Sequence, residues 1–345
     1  METLVTTDTQ IAFARTATRF AQDCLGKPAD WIGSRLGDAG LIGVFAPEDS
    51  GGLGLGIRDA LPLSIECARN DLAFPLVEAM IGAGAILKAG IGPADTLLNG
   101  SEIATIAWAG RIDAVEKPSE WRLSGVASHV IGGSYADWVV VRICGNSQEG
   151  IALVSTKSTG LSCRSGNELD VERPEMDLVF EDFPLSNAHI LWDQGATWDW
   201  IWAVGKVLRS ADIYGSAKAS FDDSKSYTST RKQFQRPLCA NQSVRHLLAR
   251  DYYGLERVRY CLEYAALSTD HQASDARVSR DVLCGLAYEI CIRVAENAIQ
   301  LHGAMGFTRD LPLHRRLRRI LAASDICPAT TARESLTSTL LDSWQ

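Results

Sequence analysis

The chain has 345 residues, of which 46% are hydrophobic and 22% charged, and its formal net charge is −8. This composition is that of a globular protein long enough to bury one large core or two to three smaller ones. The acidic balance argues against a general nucleic-acid or membrane-surface binder, and no uncharged apolar run is long enough to span a bilayer.

The nine cysteines occur singly, with no C-x-x-C pair and no spacing with histidine that is typical of metal ligands. This usage indicates reduced thiols, and the N-terminal stretch lacks the apolar core of a secretory signal. We therefore expect a cytoplasmic protein without a bound metal.

The predicted elements fall into three consecutive regions. Helical periodicity extends to about residue 95 and is broken by the Pro- and Gly-rich loop APEDSGGLGLG at 46–56. Five short β-branched or alternating runs separated by turns follow, and they predict an antiparallel barrel or sandwich; they lie at 102–110, 119–130, 136–145, 150–156 and 176–185. Long helical patterns then return. The sequence predicts an α+β protein with domains at 1–95, 96–192 and 193–345.

Two local patterns indicate no ligand site by themselves. The glycines of 51–56 do not have the spacing G-x-G-x-x-G, and no predicted strand precedes them, so a Rossmann interpretation is poor. A basic cluster is interpreted as the solvated face of a helix; it comprises Arg315, Arg316, Arg318 and Arg319.

Four segments together resemble the signatures of the acyl-CoA dehydrogenase family, and they occur in the order that this family has. They are LGDAGLIGVFAPEDSGGLGLG at 36–56, WRLSGVASHVIGGSYADWVVV at 121–141, RKQFQRPLCANQSVRHLLA at 231–249 and QLHGAMGFTRDLPLHRRLRR at 300–319. The resemblance covers nearly the whole chain. It implies an N-terminal helical domain, a middle antiparallel β-domain and a C-terminal four-helix bundle.

The resemblance also implies chemistry and a cofactor. In this family a carboxylate removes the α-proton of an acyl-CoA while the β-hydride passes to the flavin N5 of FAD, giving an enoyl-CoA. The FAD lies at a subunit interface, where the C-terminal signatures of one subunit hold the pyrophosphate and adenosine of its neighbour's FAD. On this resemblance the cofactor-binding residues are Arg231, Phe234, Gln300, Gly303 and Ala304.

Each of these residues suits that role by its chemistry. Arg231 offers a charge-assisted donor to phosphate, Phe234 offers an apolar ring, and the backbone near Gly303 permits a close approach. The alternative is a turn between helices for Gly303 and Gly306 and a solvated helix end for Arg231; we favour the nucleotide role. His302 is interpreted as a packed or hydrogen-bonding histidine without catalytic chemistry.

The residues that seat the flavin within one subunit of the family have no equivalents here. The family's TEPxAGSD loop corresponds to AWAGRIDAVEKPSEW at 107–121, which has neither Thr-Glu nor Gly-Ser-Asp. The Trp-Ile-Thr of the next hairpin corresponds to His129, Val130 and Ile131. We interpret His129 and Ile131 as residues that simply fill a closed hairpin.

The catalytic carboxylate is also missing. Its usual place corresponds to Cys327 when counted from Arg318, or to Ile326 when counted back from Arg333; the place used by a minority of the family falls near Gly205. Asp325 is a weak candidate base, and capping of the helix that starts near Pro328 is the simpler interpretation. No catalytic residue is assigned.

The sequence thus predicts a chain that lends an FAD half-site to a neighbour and lacks its own. It resembles the shortened, base-lacking subunit of heteromeric acyl-CoA dehydrogenases of steroid side-chain degradation, which form α2β2 assemblies with a paralogous catalytic subunit. A steroid side-chain CoA ester is then a candidate substrate. Two alternatives remain open: a self-sufficient homo-oligomeric dehydrogenase or related oxidase that uses Asp325 as base, and a non-catalytic pseudoenzyme that binds a CoA ester.

Overall fold

A computed structural model describes residues 7–166, 169–323 and 329–342. Its backbone contacts divide the chain into two compact units, each assembled from separate stretches of sequence. The first unit comprises Met1–Leu25, Ile57–Leu72 and Lys206–Gln345, and the second comprises Gly26–Gly56 and Ala73–Gly205.

Ten α-helices lie in the described ranges. They are α1 (Asp8–Asp23), α2 (Ala29–Asp38), α3 (Ile57–Arg69), α4 (Leu76–Ala89), α5 (Ala94–Leu98), α6 (Ala196–Thr230), α7 (Gln242–Asp270), α8 (Ala276–His302), α9 (Leu313–Ala322) and α10 (Ala329–Asp342). No helix within these ranges is both long enough and apolar enough to cross a membrane.

Local sequence explains where several helices begin and how they are buried. α1 starts with a capping box, in which the Thr7 side chain accepts a hydrogen bond from the Gln10 N–H and the Gln10 side chain accepts one from the Thr7 N–H. α4 is apolar almost all round its circumference, and nearly all of its residues are buried, as expected for a helix without a solvent face.

The first unit is helical. α3 packs against α1 and α7, α7 packs against α8, and α8 also contacts α9 and α10. The interpretation of the basic cluster on α9 as a solvated face is wrong for Arg316 and Arg319, which are buried. Arg316 donates hydrogen bonds to both carboxylate oxygens of Asp71 at 2.8 Å and to Asp223 at 2.6 Å, because a buried guanidinium needs compensating charge.

The second unit contains a seven-stranded sheet together with α2, α4 and α5. Its strands are β1 (Ala104–Glu116), β2 (Trp121–Ile131), β3 (Trp138–Gly145), β4 (Gln148–Ser155), β5 (Leu161–Ser165), β6 (Glu175–Leu185) and β7 (Ile190–Trp192). The order in the sheet is β5-β6-β2-β1-β3-β4-β7. All pairs are antiparallel except β1 with β3, which is parallel.

The α+β class is confirmed, with an N-terminal helical region, a middle sheet and C-terminal helices. Five predicted strands are present, whereas β5 and β7 were not predicted because they are short and weakly patterned. The sheet core is formed by alternating buried residues, among them Leu123, Val139, Val141, Ala152, Leu178 and Phe180. The three domain boundaries stay a prediction.

Candidate functional site

Arg231 and Phe234 lie on a tight hairpin that follows α6. Strand β8 (Lys232–Gln233) pairs with β9 (Arg236–Pro237), so that Phe234 and Gln235 form a two-residue turn. Both have left-handed backbone, with φ of 51° and 64°, as in the type I′ turn that normally selects Asn and Gly. A phenylalanine in this conformation is strained, and its side chain is 93% exposed.

The Arg231 backbone is fixed while its side chain extends into solvent. Its N–H donates to the Tyr227 carbonyl at 2.8 Å, and its carbonyl accepts from the Leu238 N–H at 2.9 Å. Within the described ranges the guanidinium makes no hydrogen bond or ion pair. The position just after a helix C-terminus favours a cation. Arg231 is therefore a positioned cation that is available to an anion.

The second predicted segment lies where α8 ends, and Gln300, Gly303 and Ala304 are exposed there. Gly303 ends the helix with φ of 61°, a conformation that glycine adopts without strain. A Cβ on Gly306 would lie 2.3 Å from the Ile299 carbonyl oxygen. Turn geometry thus accounts for both glycines, as the alternative interpretation held. The role of these residues toward a nucleotide stays a prediction.

Tyr227 connects the two segments and was not predicted. Its ring stacks on that of His302, with centroids 4.4 Å apart and an interplanar angle of 24°. His302 is buried, and its Nδ1 lies 2.7 Å from the Ala298 carbonyl oxygen, so its interpretation as a packed histidine is confirmed. The stack places the last turn of α6, which the Arg231 hairpin follows, beside the end of α8 at His302.

The electrostatics of this surface are mixed. The C-termini of α6 and α8 lie here, and a helix C-terminus carries about half a negative elementary charge. Arg231 opposes this field. The N-terminus of α7, which carries the opposite partial charge, also follows the hairpin closely: α7 begins at Gln242, four residues after Leu238, whose N–H donates to the Arg231 carbonyl.

The middle-domain segment that replaces the flavin loop contains a buried tryptophan. Pairing of β1 with β3 is interrupted between Ile106 and Ile112, and Trp108 within this interruption is only 2% exposed. Its Nε1–H donates to the Glu78 carboxylate at 3.1 Å, and Glu78 on α4 is itself fully buried. The Trp108 ring lies 6.1 Å from the Trp202 ring on α6.

Trp108 also explains why position 205 has no side chain. A Cβ built on Gly205 would lie 2.4 Å from Cη2 and 2.5 Å from Cζ3 of Trp108. These distances are far below van der Waals contact, so a carboxylate side chain cannot occupy position 205 while the indole is in place. Neither Trp108 nor Glu78 was predicted, because their contacts join segments far apart in sequence.

The hairpin positions that replace Trp-Ile-Thr are structural. Ile131 is buried, and its carbonyl accepts a hydrogen bond from the Thr105 hydroxyl at 2.6 Å, as expected for a closed hairpin. His129 differs from the expectation. It lies at a β-bulge with φ of 56°, remains partly exposed, and its Nδ1 is 3.0 Å from the Glu175 carboxylate.

A half-open cleft of about 390 Å³ lies next to Trp108. Its lining residues include Trp108, Trp198 and Trp202, together with Arg142 and Asp199. The Arg142 guanidinium donates to the Glu149 carboxylate at 2.6 Å; this hydrogen bond raises the pKa of Arg142 and lowers the pKa of Glu149. The guanidinium at the cleft is thus already paired to a neighbouring carboxylate.

Asp325, Ile326 and Cys327 lie outside the described residues, so the candidate base has no described position. In the part of the chain that the structure covers, no group of three or more His, Cys, Asp or Glu side chains could hold a metal ion.

Helices, a mixed seven-stranded sheet and long C-terminal helices define the acyl-CoA dehydrogenase fold. A chain of the ChsE4–ChsE5 complex from Mycobacterium tuberculosis superposes with a TM-score of 0.89 at 22% identity and covers 99% of both chains. A chain of the Tcur3481–Tcur3483 steroid ACAD gives a TM-score of 0.86 at 25% identity, covering 97% of this chain and 98% of that one.

Sequence comparison agrees with the fold. Residues 202–324 match the family model of the acyl-CoA dehydrogenase C-terminal domain. The acyl-CoA dehydrogenase FadE27 of Mycobacterium tuberculosis is 25% identical in a 312-residue alignment that covers 81% of this chain and 80% of the relative. The chain is thus similar to acyl-CoA dehydrogenases over most of its length, and to their C-terminal domain over residues 202–324.

Proposed function

We propose that this chain is the non-basic subunit of a heteromeric FAD-dependent acyl-CoA dehydrogenase. It lends a pyrophosphate- and adenosine-binding half-site to a catalytic partner and supplies no carboxylate base. The contrast between two regions carries this proposal. Phe234 is exposed on a strained left-handed turn, while the Trp108 indole fills the space at Gly205.

The chain's own residues would act by binding and orienting. When bound, FAD supplies the hydride acceptor. The Arg231 guanidinium donates to phosphate oxygens, the Phe234 ring packs on the nucleotide, and the Gln300 amide donates a further hydrogen bond. In this proposal the partner supplies the remaining donors to the pyrophosphate, together with the flavin seat and the base.

The surface of α7 supports a protein partner. Tyr253, Tyr260 and Tyr264 recur at helical spacing on one exposed face, and the Arg257 guanidinium lies 5.8 Å from the Tyr253 ring centroid. Tyrosine and arginine are the residue types most enriched at the energetic centres of protein interfaces.

The names of the structural relatives guide the choice of partner and substrate. One is a ChsE4–ChsE5 complex and the other a Tcur3481–Tcur3483 steroid ACAD, so both pair two differently named proteins. By analogy we propose a paralogous catalytic acyl-CoA dehydrogenase subunit, an α2β2 assembly with FAD at the interface, and a steroid side-chain CoA ester as substrate.

Co-expression with a paralogous acyl-CoA dehydrogenase from the same genome tests this proposal. We expect the chain alone to be colourless, and the co-purified complex to be yellow, active on an acyl-CoA, and to contain one FAD per pair of unlike subunits. Native mass spectrometry and the visible spectrum give the stoichiometry. A yellow and active homo-oligomer of this chain would instead favour the self-sufficient enzyme, in which Asp325→Asn abolishes turnover while FAD stays bound.

A further inference from the structure

Trp108 is one of the residues that line the cleft, and it contacts both Glu78 and Gly205. Neither Glu78 nor Gly205 belongs to the described lining of the cleft. Because Trp108 is only 2% exposed, its indole is enclosed by protein.

The Trp108 indole is held by one hydrogen bond and by packing contacts on its other sides. Its N–H meets the Glu78 carboxylate, and the tilted ring of Trp202 packs beside it. Gly205 lets the Trp108 ring lie directly against the α6 backbone. Such a site holds a flat ring by one directional hydrogen bond and by contacts on its other sides, which is how pockets orient heterocycles.

We propose that the Trp108 side chain itself fills a site that could otherwise bind a planar ring. Its indole takes the place of a planar heterocycle bearing an N–H donor, so that the chain binds no such ring unless Trp108 is removed. The further conclusion that this closed site is the reason why the chain holds no flavin of its own rests on the proposed function.

Chemical rescue tests the occupancy in the purified full-length chain. Trp108→Gly should lower the melting temperature, and saturating indole should restore at least about 2 °C of the loss, because a ligand that binds only the folded state stabilises it. Wild type and Trp108→Phe, which keep a ring in place, should show no shift. Benzothiophene has the same shape without the N–H, and it should restore less than indole because it cannot donate to Glu78.

A double-mutant cycle tests the contact with Gly205 if the glycine variant does not fold. Gly205→Ala should lower the melting temperature of the wild type by about 3–10 °C through overpacking. In a Trp108→Phe background the same change should cost much less, because Cη2 and Cζ3 belong to the outer ring that phenylalanine lacks. The proposal is overturned if Gly205→Ala lowers the melting temperature equally in both backgrounds. It is also overturned if indole does not raise the melting temperature of a folded Trp108→Gly chain.

These outcomes are independent of the proposed function. A wild-type chain that purifies alone with a full complement of flavin would refute the heteromeric assignment, whereas the indole response would still decide whether Trp108 occupies a ring site.

Discussion

The Arg231–Phe234 hairpin and the Trp108 region differ in how they place an aromatic side chain: the hairpin exposes one and the Trp108 region buries one. The hairpin holds a large apolar ring in solvent on a strained turn, next to a cation that the described residues leave unpaired. The Trp108 region buries an aromatic ring, satisfies its N–H with Glu78, and uses Gly205 to admit it. The proposed function treats the first region as half of a site that a partner completes, whereas the Trp108 region satisfies its own contacts.

If the proposed function holds, this difference shows how a subunit can specialise without changing its fold. Loss of a site needs only one large side chain that fills it, together with a glycine that gives it room. A site that is retained for another chain is recognised differently. Its surface geometry lowers the stability of the chain and is not explained by contacts within that chain.

The largest expected effect comes from placing a carboxylate at position 205, next to Trp108. Gly205→Glu should destabilise the chain by more than about 3 kcal/mol, since it adds a clash with Trp108 and buries a charge. Urea unfolding followed by circular dichroism measures this. Gly285 is also a buried glycine inside a helix but has no neighbour within reach of a Cβ, so Gly285→Glu is the matched control without the clash. Similar losses for both would mean that Trp108 does not close position 205.

Removal of the acceptor for the indole N–H should have the next largest effect. Glu78→Leu leaves the Trp108 N–H buried without its partner and should cost about 1–3 kcal/mol of unfolding free energy. Glu78→Gln retains a carbonyl acceptor and should cost less. If the leucine variant is as stable as the glutamine variant, the hydrogen bond does not hold the ring.

Arg231→Ala should weaken retention of FAD in the co-purified complex by about 10- to 100-fold, the range of one charge-assisted hydrogen bond. Release of FAD on dilution, followed by flavin fluorescence, gives this number. Arg111→Ala is a matched control, because Arg111 is also exposed and lies in the sheet. Unchanged FAD retention in Arg231→Ala would remove Arg231 from the half-site.

Phe234→Asn should act in opposite directions on the chain and on the complex. Asparagine tolerates the left-handed backbone, so the isolated chain should gain about 0.5–1 kcal/mol in unfolding free energy. The complex should lose affinity for FAD, because the exposed ring is gone. A variant that is more stable and still retains FAD as well as the wild type would show that the ring has no role at the interface.

The smallest effect is expected for Tyr135→Phe. The Tyr135 hydroxyl is buried with no hydrogen-bond partner among the described residues; burial raises its pKa well above 10, and Glu78 adds to this while Arg173 opposes it. Near neutral pH the change should be almost neutral.

Above about pH 10 the unfolded chain loses the tyrosine proton first, so the wild type should lose stability as pH rises and Tyr135→Phe should lose less. Parallel pH profiles for the two proteins would contradict this account of Tyr135.

Much of the fold could be predicted from sequence because periodicity and turn residues are local signals. The long helices α6 and α7 and five strands follow from such patterns. The parallel pairing of β1 with β3 does not, since it depends on which strands meet in the folded sheet. The Phe234–Gln235 turn was also missed, because its two residues carry none of the Asn-Gly signal of a type I′ hairpin.

The candidate site could be predicted only in part. Motif resemblance indicated Arg231, Phe234 and Gln300, and a simple steric interpretation sufficed for Gly303. For the Trp108 region, the sequence showed only that the flavin-seating residues of the family are missing. It does not show that Trp108 contacts Glu78 and Gly205. Tertiary packing, which no local pattern encodes, supplies that part.

The stack of Tyr227 on His302 has a practical consequence for variants of this protein. It joins the ends of two long helices, so damage to either ring should disturb both loops at once. A lesion there would mimic the loss of several separate contact residues. Alanine scans of this surface should therefore leave that aromatic pair intact, and a fluorophore attached to one loop would report on the other.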